Sequence, residues 1–162
     1  MKLHLTLLLL LVLNISTAQE NKSIPANKQT VLNSILQQEK DLIGISDQVW
    51  AAAEIAMKEY QSAKVLSDYA EKKGFKVTRN VADIPTAFIA EYGSGKPIIG
   101  ILGEFDALPG LSQKAIPYKE ALKAEAAGHG CGHNMFGTAS LGAAVAIKDL
   151  IAASKLKGTI RF

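Results

Sequence analysis

The feature that most constrains the fold is a strand–helix–strand unit in the C-terminal half of the chain. Residues 97–103 form a continuously apolar run, which is typical of a strand buried on both faces of a sheet. Residues 134–154 predict a helix rich in small side chains, which allow a helix to lie close to a sheet. Residues 158–162 predict another strand. The unit therefore indicates a sheet that is at least partly parallel.

The preceding part of the chain predicts helices first and strands afterwards. Apolar residues recur mainly at helical spacing over about residues 29–57, and a second helical stretch covers about residues 59–73, before Gly74. Strand-like alternation follows at residues 75–78 and 86–92. We therefore predict an α/β fold in which N-terminal helices precede a mixed, partly parallel sheet with packed helices. A length of 162 residues suits one domain or part of a larger one.

The N-terminus predicts a secretory signal peptide over residues 1–18. A single lysine precedes a leucine-rich stretch with an unbroken apolar run at residues 7–13, and residues 16–18 are small, as a signal peptidase requires. A membrane-spanning helix needs about 20 apolar residues, and this stretch is interrupted at Asn14. We therefore expect an exported protein, periplasmic or secreted, with no stable membrane anchor.

Charge and composition exclude several classes of protein. The 18 Lys and Arg residues against 15 Asp and Glu residues give a net charge of +3, and no basic cluster exceeds the pair Lys72-Lys73. Nucleic acid is therefore not an expected partner. Hydrophobic residues make up 48% and charged residues 20% of the chain, which excludes a disordered or fibrous protein. The single cysteine excludes an intramolecular disulfide.

The candidate chemistry lies in the glycine-rich segment 128–134. Its two histidines and the only cysteine of the chain fall within five residues, at His129, Cys131 and His133. In an extended segment these alternate side chains would project from the same side and could face one point. Thiolate and imidazole are strong ligands for zinc and similar metals. A bound metal would also explain how an exported thiol escapes oxidation.

Two other interpretations of this segment are open. The segment could be a glycine-rich turn with a buried thiol and two solvated imidazoles. It could also contain a thiol–histidine nucleophile, because a helix N-terminus lowers the pKa of a cysteine.

A second polar cluster favours the metal interpretation. Glu104 and Asp106 follow the apolar run directly, and ligands of open α/β sheets bind beyond the carboxyl ends of the strands. The helix after His133 begins at the same edge if the crossover is right-handed. We therefore expect both carboxylates to lie near Cys131 and His133, although taken alone they could be ordinary loop carboxylates.

Two motifs carry a resemblance to a known family. GEFDALPGLSQ at residues 103–113, followed by GHGCGHNMFG at residues 128–137, resembles the amidohydrolase branch of the aminoacylase and carboxypeptidase-G-type zinc peptidases. Residues 50–62 resemble the opening helix pair of that family, and Asn134 fits its aminobenzoyl-glutamate-like branch. The resemblance implies a hydrolase with two divalent metals, zinc or manganese. Its implied substrate is the amide bond of an N-acyl amino acid such as aminobenzoyl-glutamate, or a dipeptide-like amide.

The resemblance also implies roles for single residues. Cys131 and His133 correspond to metal ligands. Asp106 corresponds to an aspartate of the catalytic centre that supports the metal site and orients a ligand histidine or the metal centre. Glu104 stands where more distant relatives carry a ligand histidine, and His129 belongs to the motif without being an expected ligand. Both are candidate supporting residues.

The resemblance places other functional residues beyond Phe162. These are the general-base glutamate, a ligand glutamate, further ligand histidines and the inserted domain through which such enzymes dimerise. We therefore expect residues 19–162 to be the N-terminal part of a catalytic domain, inactive alone, from a homo- or hetero-oligomeric protein. We also expect the strand at residues 158–162 to lack neighbours and expose a sheet edge. The alternative is an exported, non-catalytic metal-binding domain.

Overall fold

The computed structural model describes residues 24–162, so the predicted signal peptide lies outside the described residues. The described part contains three long helices, four strands and one 3₁₀ turn. In chain order these are α1 (Ala26–Ala52), α2 (Tyr60–Lys72), β1 (Lys76–Arg79), the turn Val81–Asp83, β2 (Phe88–Ser94), β3 (Ile98–Gly100), α3 (His133–Ala152) and β4 (Gly158–Arg161).

The four strands form one mixed sheet in the order β1-β2-β4-β3. β2 pairs antiparallel with both β1 and β4, whereas β3 and β4 are parallel. In the register, Ile160 of β4 lies opposite Tyr92 of β2 on one side and Ile99 of β3 on the other. The parallel pair is joined through α3, as expected for a crossover connection. The predicted α/β class with a partly parallel sheet is therefore confirmed.

Two predictions about strand position are wrong. β3, predicted to be buried on both faces, lies at the edge of the sheet, where Ile98 and Ile99 are 51% and 55% exposed. β4, predicted to expose an unpaired edge, lies between β2 and β3, and its Ile160 is 1% exposed. An apolar run indicates only that a strand favours burial. The neighbours of that strand in the sheet depend on pairing with segments distant in sequence, and the local pattern carries no information about that pairing.

Helix α3 is the core helix of the described chain. Its Leu141, Ala144 and Val145 are fully buried. Gly142 lies close to α1: a Cβ atom there would be 2.8 Å from Leu42 Cδ1, so a larger residue would require the Leu42 side chain to move. By length and mean hydropathy, 1.4 in its most apolar window, α3 could also cross a membrane. Here it packs mainly against α1, so small side chains that were expected to lie against the sheet, such as Gly142, serve a helix–helix contact instead.

A row of hydrogen-bonded side chains, which we call the helical polar chain, crosses between the three helices. Ser34 Oγ donates to Asp149 Oδ2 at 2.6 Å, Gln38 Nε2 donates to Ser34 Oγ at 3.1 Å, and Tyr69 OH donates to Gln38 Oε1 at 3.1 Å. Burial raises the pKa of Tyr69 to about 12, and the charges of Asp41 and Asp149 act in the same direction. The core therefore contains polar groups, but each of these side chains has a partner.

Candidate metal site

The two sequence motifs are joined by backbone pairing. Leu108 and Gly128 exchange hydrogen bonds, with N–O distances of 2.9 and 3.0 Å, and Ser112 N donates to Ala126 O at 2.9 Å. A Cβ atom at position 128 would be only 2.1 Å from the carbonyl oxygen of Leu111. The glycine at this position thus permits two protein segments to approach each other, and the paired loops form one unit beside the start of α3.

Three predicted site residues converge at this place. His133, the first residue of α3, has its Nδ1 2.7 Å from Asp106 Oδ1 and its Nε2 3.2 Å from Glu104 Oε2. The approach depends on Gly137 in the first turn of α3, where a Cβ atom would be 2.7 Å from the Glu104 carbonyl oxygen. Both nitrogens of the imidazole therefore face carboxylates. This agrees with the prediction that the residues after β3 and the residues at the start of α3 meet at one edge of the sheet.

The chemistry of these donors fits a divalent metal ion. One donor atom from each of Glu104, Asp106 and His133 lies within 4.8 Å of the other two. Asp106 Oδ1 is placed to accept a hydrogen bond from His133 Nδ1, and this would leave Nε2, the nitrogen that faces Glu104, to bind a metal ion. Imidazole nitrogen and carboxylate oxygen suit both zinc and manganese.

Cys131 stands apart from this group. Its side chain is exposed, and its thiol is not among the donors that converge with His133 within residues 24–162. The geometry therefore unites three of the five predicted site residues. That Cys131 binds a metal stays a prediction, and it rests on the sequence motif at residues 128–137.

Residues 129–133 are not the extended segment in which three alternate side chains could face one point. The chain turns here: the backbone N–H of Gly132 donates to the His129 carbonyl at 3.2 Å, and Gly132 has φ +78° immediately before the helix. Successive side chains around a turn do not alternate as they do in a strand. His133 consequently faces the carboxylates, whereas His129 Nε2 lies 2.9 Å from the carbonyl oxygen of Val49.

His129 is half-buried beside the end of α1. Burial lowers the pKa of His129; the Val49 carbonyl raises it, and the neighbouring His133 lowers it further. Because a carbonyl oxygen only accepts, the neutral ring carries its proton on Nε2. Its Nδ1 is buried and has no hydrogen-bond partner within the described residues.

Sequence reasoning missed the part that Glu54 plays in positioning the site. Its carboxylate accepts hydrogen bonds from the backbone N–H groups of Gln61 and Ser62, at 3.0 and 2.9 Å, and so caps the start of α2. Its own carbonyl accepts a hydrogen bond from Ala107 N at 2.7 Å, directly beside Asp106. The cap is seven and eight residues away from its partners, outside the local spacings by which caps are recognised in sequence.

Comparisons with known proteins identify relatives of this chain. No family model matches the chain. The chain is 48% identical over 119 residues to one of the subunits of p-aminobenzoyl-glutamate hydrolase from Escherichia coli K12, a match that covers 73% of this chain and 25% of the relative. It is 30% identical over 144 residues to N-acetyl-L-cysteine deacetylase of Bacillus subtilis, which covers 88% of this chain and 32% of the relative.

A solved structure of another relative is also similar to this chain. A dinuclear metal-binding peptidase of the M20 family from Bacillus subtilis superposes with a TM-score of 0.63 at 27% identity, over 76% of this chain and 34% of that chain. The chain thus spans about a quarter to a third of the length of these relatives. Their names describe enzymes that hydrolyse amide or peptide bonds, in agreement with the family predicted from the two motifs. The chain belongs to the M20 family of amidohydrolases and peptidases.

Proposed function

We propose that residues 19–162 form the N-terminal part of the catalytic domain of a metal-dependent amidohydrolase that cleaves an N-acyl amino acid such as p-aminobenzoyl-glutamate. The observation that carries the proposal is the convergence of Glu104, Asp106 and His133 beside the start of α3. The 48% identity to part of a p-aminobenzoyl-glutamate hydrolase supports this substrate class.

In this proposal His133 Nε2 and Glu104 Oε2 hold the metal, and Cys131 joins them as the motif implies. Asp106 acts on the ring of His133 by accepting the Nδ1 proton at 2.7 Å, which keeps the Nε2 lone pair directed toward Glu104. A divalent metal held by these residues would supply a Lewis acid for the amide carbonyl and would lower the pKa of a bound water. We propose two metals, zinc or manganese, in the complete site.

In this proposal the described residues supply only part of the catalytic machinery. Among residues 24–162, Glu104, Asp106 and His133 are the only metal-binding type side chains that converge as a group of three. The family resemblance places the general base and the remaining ligands beyond Phe162. We therefore propose that the chain alone binds metal weakly and hydrolyses little.

The test compares hydrolysis of p-aminobenzoyl-glutamate by the 162-residue chain and by the longer protein, each with added zinc or manganese. We expect turnover by the chain to be at least about 10²-fold lower, because the loss of a general base alone removes about 10²–10⁴-fold of rate. The His133→Ala variant of the longer protein is the matched control and should lose activity. Equal turnover by the chain and the longer protein would show that all catalytic residues lie within residues 1–162.

A second candidate function is that of an exported metal-binding domain without catalysis, and it rests on the same three donors. It requires the chain to be the whole protein and to bind zinc tightly without further ligands. A glutamate pair encoded soon after Phe162 would favour the hydrolase instead.

The exposed thiol of Cys131 allows a third function, that of a thiol enzyme. That function predicts alkylation of Cys131 at a rate which added metal does not reduce.

We further propose export by cleavage after residue 18, and assembly of the complete protein into an oligomer. The relative from Escherichia coli is named as one subunit of its hydrolase, which supports a hetero-oligomer. Mass spectrometry of the exported protein should find Gln19 as the first residue. An exported protein that retains Met1 would contradict the signal peptide.

A further inference from the structure

The ring of His129 connects the turn at residues 129–132 to the end of α1. Its Nε2–H donates to the carbonyl oxygen of Val49 at 2.9 Å, across 80 positions of sequence. Val49 is fully buried, and the same carbonyl accepts the hydrogen bond from Ala53 N that ends α1, at 3.1 Å. The ring is therefore attached to a firmly packed part of the molecule rather than to a loop.

The backbone of His129 closes the turn that leads into α3. Its carbonyl accepts the hydrogen bond from Gly132 N at 3.2 Å, and α3 begins at His133, the next residue. On the other side, Gly130 packs against Leu111, since a Cβ atom there would be 2.5 Å from Leu111 Cδ1. The position of the turn that carries Cys131 is thus determined by one side-chain hydrogen bond to α1 and by packing against the opposite loop.

We propose that His129 is a positioning residue of the metal site. Through the Val49 hydrogen bond its imidazole holds the turn at residues 129–132 in place, and this fixes where His133 starts α3 relative to Asp106. The inference rests on the proposed metal site and adds a residue that binds neither metal nor substrate. What the position requires is a hydrogen-bond donor that reaches Val49 O, and not imidazole chemistry.

Two substitutions in the 162-residue chain separate this role from simple packing. His129→Gln keeps an N–H donor at a comparable distance from the backbone, whereas His129→Phe keeps a ring of similar size without a donor. The first measurement is the zinc dissociation constant, by competition with a chromophoric chelator. We expect His129→Gln to bind within about threefold of the parent chain and His129→Phe to bind about 10–100-fold more weakly, the usual effect of losing an outer partner of a metal site.

A second measurement uses no metal. In the metal-free chain, the Nδ1–H of His133 that is bonded to Asp106 should be observable by ¹⁵N NMR and protected from exchange with water. We expect this protection to persist in His129→Gln and to be lost in His129→Phe. Ser34→Ala is the control for general destabilisation, because Ser34 lies in the helical polar chain. It should lower the melting temperature without changing zinc affinity or His133 protection.

The outcomes distinguish the two proposals. A parent chain that binds no zinc, but in which protection of the His133 proton follows the pattern described, would overturn the metal site and retain the positioning role. Equal behaviour of His129→Gln and His129→Phe in both measurements would overturn the positioning role. So would a parent chain in which the proton of His129 lies on Nδ1.

Discussion

The helical polar chain and the candidate metal site are both polar, but their hydrogen bonding differs. In the helical polar chain, Gln38 accepts from Tyr69 and donates to Ser34, so donors and acceptors are matched. In the metal site, one imidazole faces the carboxylates of Glu104 and Asp106. Matched groups stabilise a fold without needing a ligand, whereas a surplus of acceptors and negative charge favours a cation.

The two regions also differ in exposure. Ser34, Gln38 and Tyr69 are 5%, 2% and 6% exposed, whereas the side chains of Glu104 and His133 are 48% and 21% exposed. Water can solvate the site residues after a substitution but has little access to Ser34, Gln38 and Tyr69. Substitutions in the first region should therefore change stability, and substitutions in the second should change metal binding.

The largest effect is expected from His133→Ala. Loss of its imidazole removes the nitrogen donor and leaves two carboxylates, so metal affinity should fall at least about 100-fold. The free energy of unfolding should change by less than about 1 kcal/mol, because the ring is partly exposed. Isothermal titration calorimetry and urea denaturation measure the two quantities. Asp106→Asn is the milder companion, with an expected loss of affinity of about 10–100-fold. Unchanged affinity in both variants would remove the distinction between the two regions.

The Gln38→Leu variant should lower stability and leave metal binding unchanged, the opposite of His133→Ala. The leucine cannot bond to Ser34 or Tyr69, so a buried hydroxyl loses its acceptor, at an expected cost of about 1–3 kcal/mol of unfolding free energy. Metal affinity should stay within about twofold of the parent. Urea denaturation checks the first expectation and calorimetry the second. A large loss of metal affinity in this variant would show that the helical polar chain and the site are coupled.

The pH dependence of stability provides a smaller test of the helical polar chain. Tyr69 has its pKa raised to about 12 from the ordinary value of 10.0, so between these values the unfolded chain loses the proton while the folded chain keeps it. The free energy of unfolding should therefore be unaffected below pH 10 and should fall as the pH rises from 10 toward 12. Denaturation curves measured across this interval test the slope. The Tyr69→Phe variant should show a flatter dependence of stability on pH. An unchanged slope in this variant would show that other groups cause the loss of stability.

The smallest effect is expected at the exposed edge of the sheet. Ile99→Lys in β3 replaces a side chain that is 55% exposed and takes part in neither polar region. Stability should change by no more than about 0.5 kcal/mol, and metal affinity should not change. Self-association should decrease, because a lysine discourages pairing at an open strand edge. Analytical ultracentrifugation at several concentrations measures this, and increased association would contradict it.

Local patterns were sufficient for the helices and for the approach of Asp106 to His133. The predicted helix at residues 134–154 is observed at His133–Ala152. The end of α1 was placed too late: the helix stops at Ala52, because Ala53 has φ 44° and the chain then turns toward α2. The approach of Asp106 to His133 follows from the parallel order of β3 and β4, which the strand–helix–strand unit implies, and Gly137 leaves room for it.

The remaining features depend on contacts between distant segments. The hydrogen bond from His129 to Val49 spans 80 positions, and no spacing within residues 128–134 indicates it. The edge position of β3 is likewise determined by β4 pairing with two strands at once. An apolar sequence expresses a preference for burial, but it does not identify the segment that will provide it.

The central position of β4 has a consequence for the order of folding. β2 and β3 precede β4 in the chain but are separated by it in the sheet. On a ribosome, these two strands are made first and cannot complete their pairing until Gly158–Arg161 has emerged and inserted between them. The contacts formed at that step span long stretches of sequence, so closure of the sheet should be slow compared with helix formation. In a nascent chain that pauses before β4, the two strand edges that β4 will cover are still open, and this interval is when aggregation is most favoured.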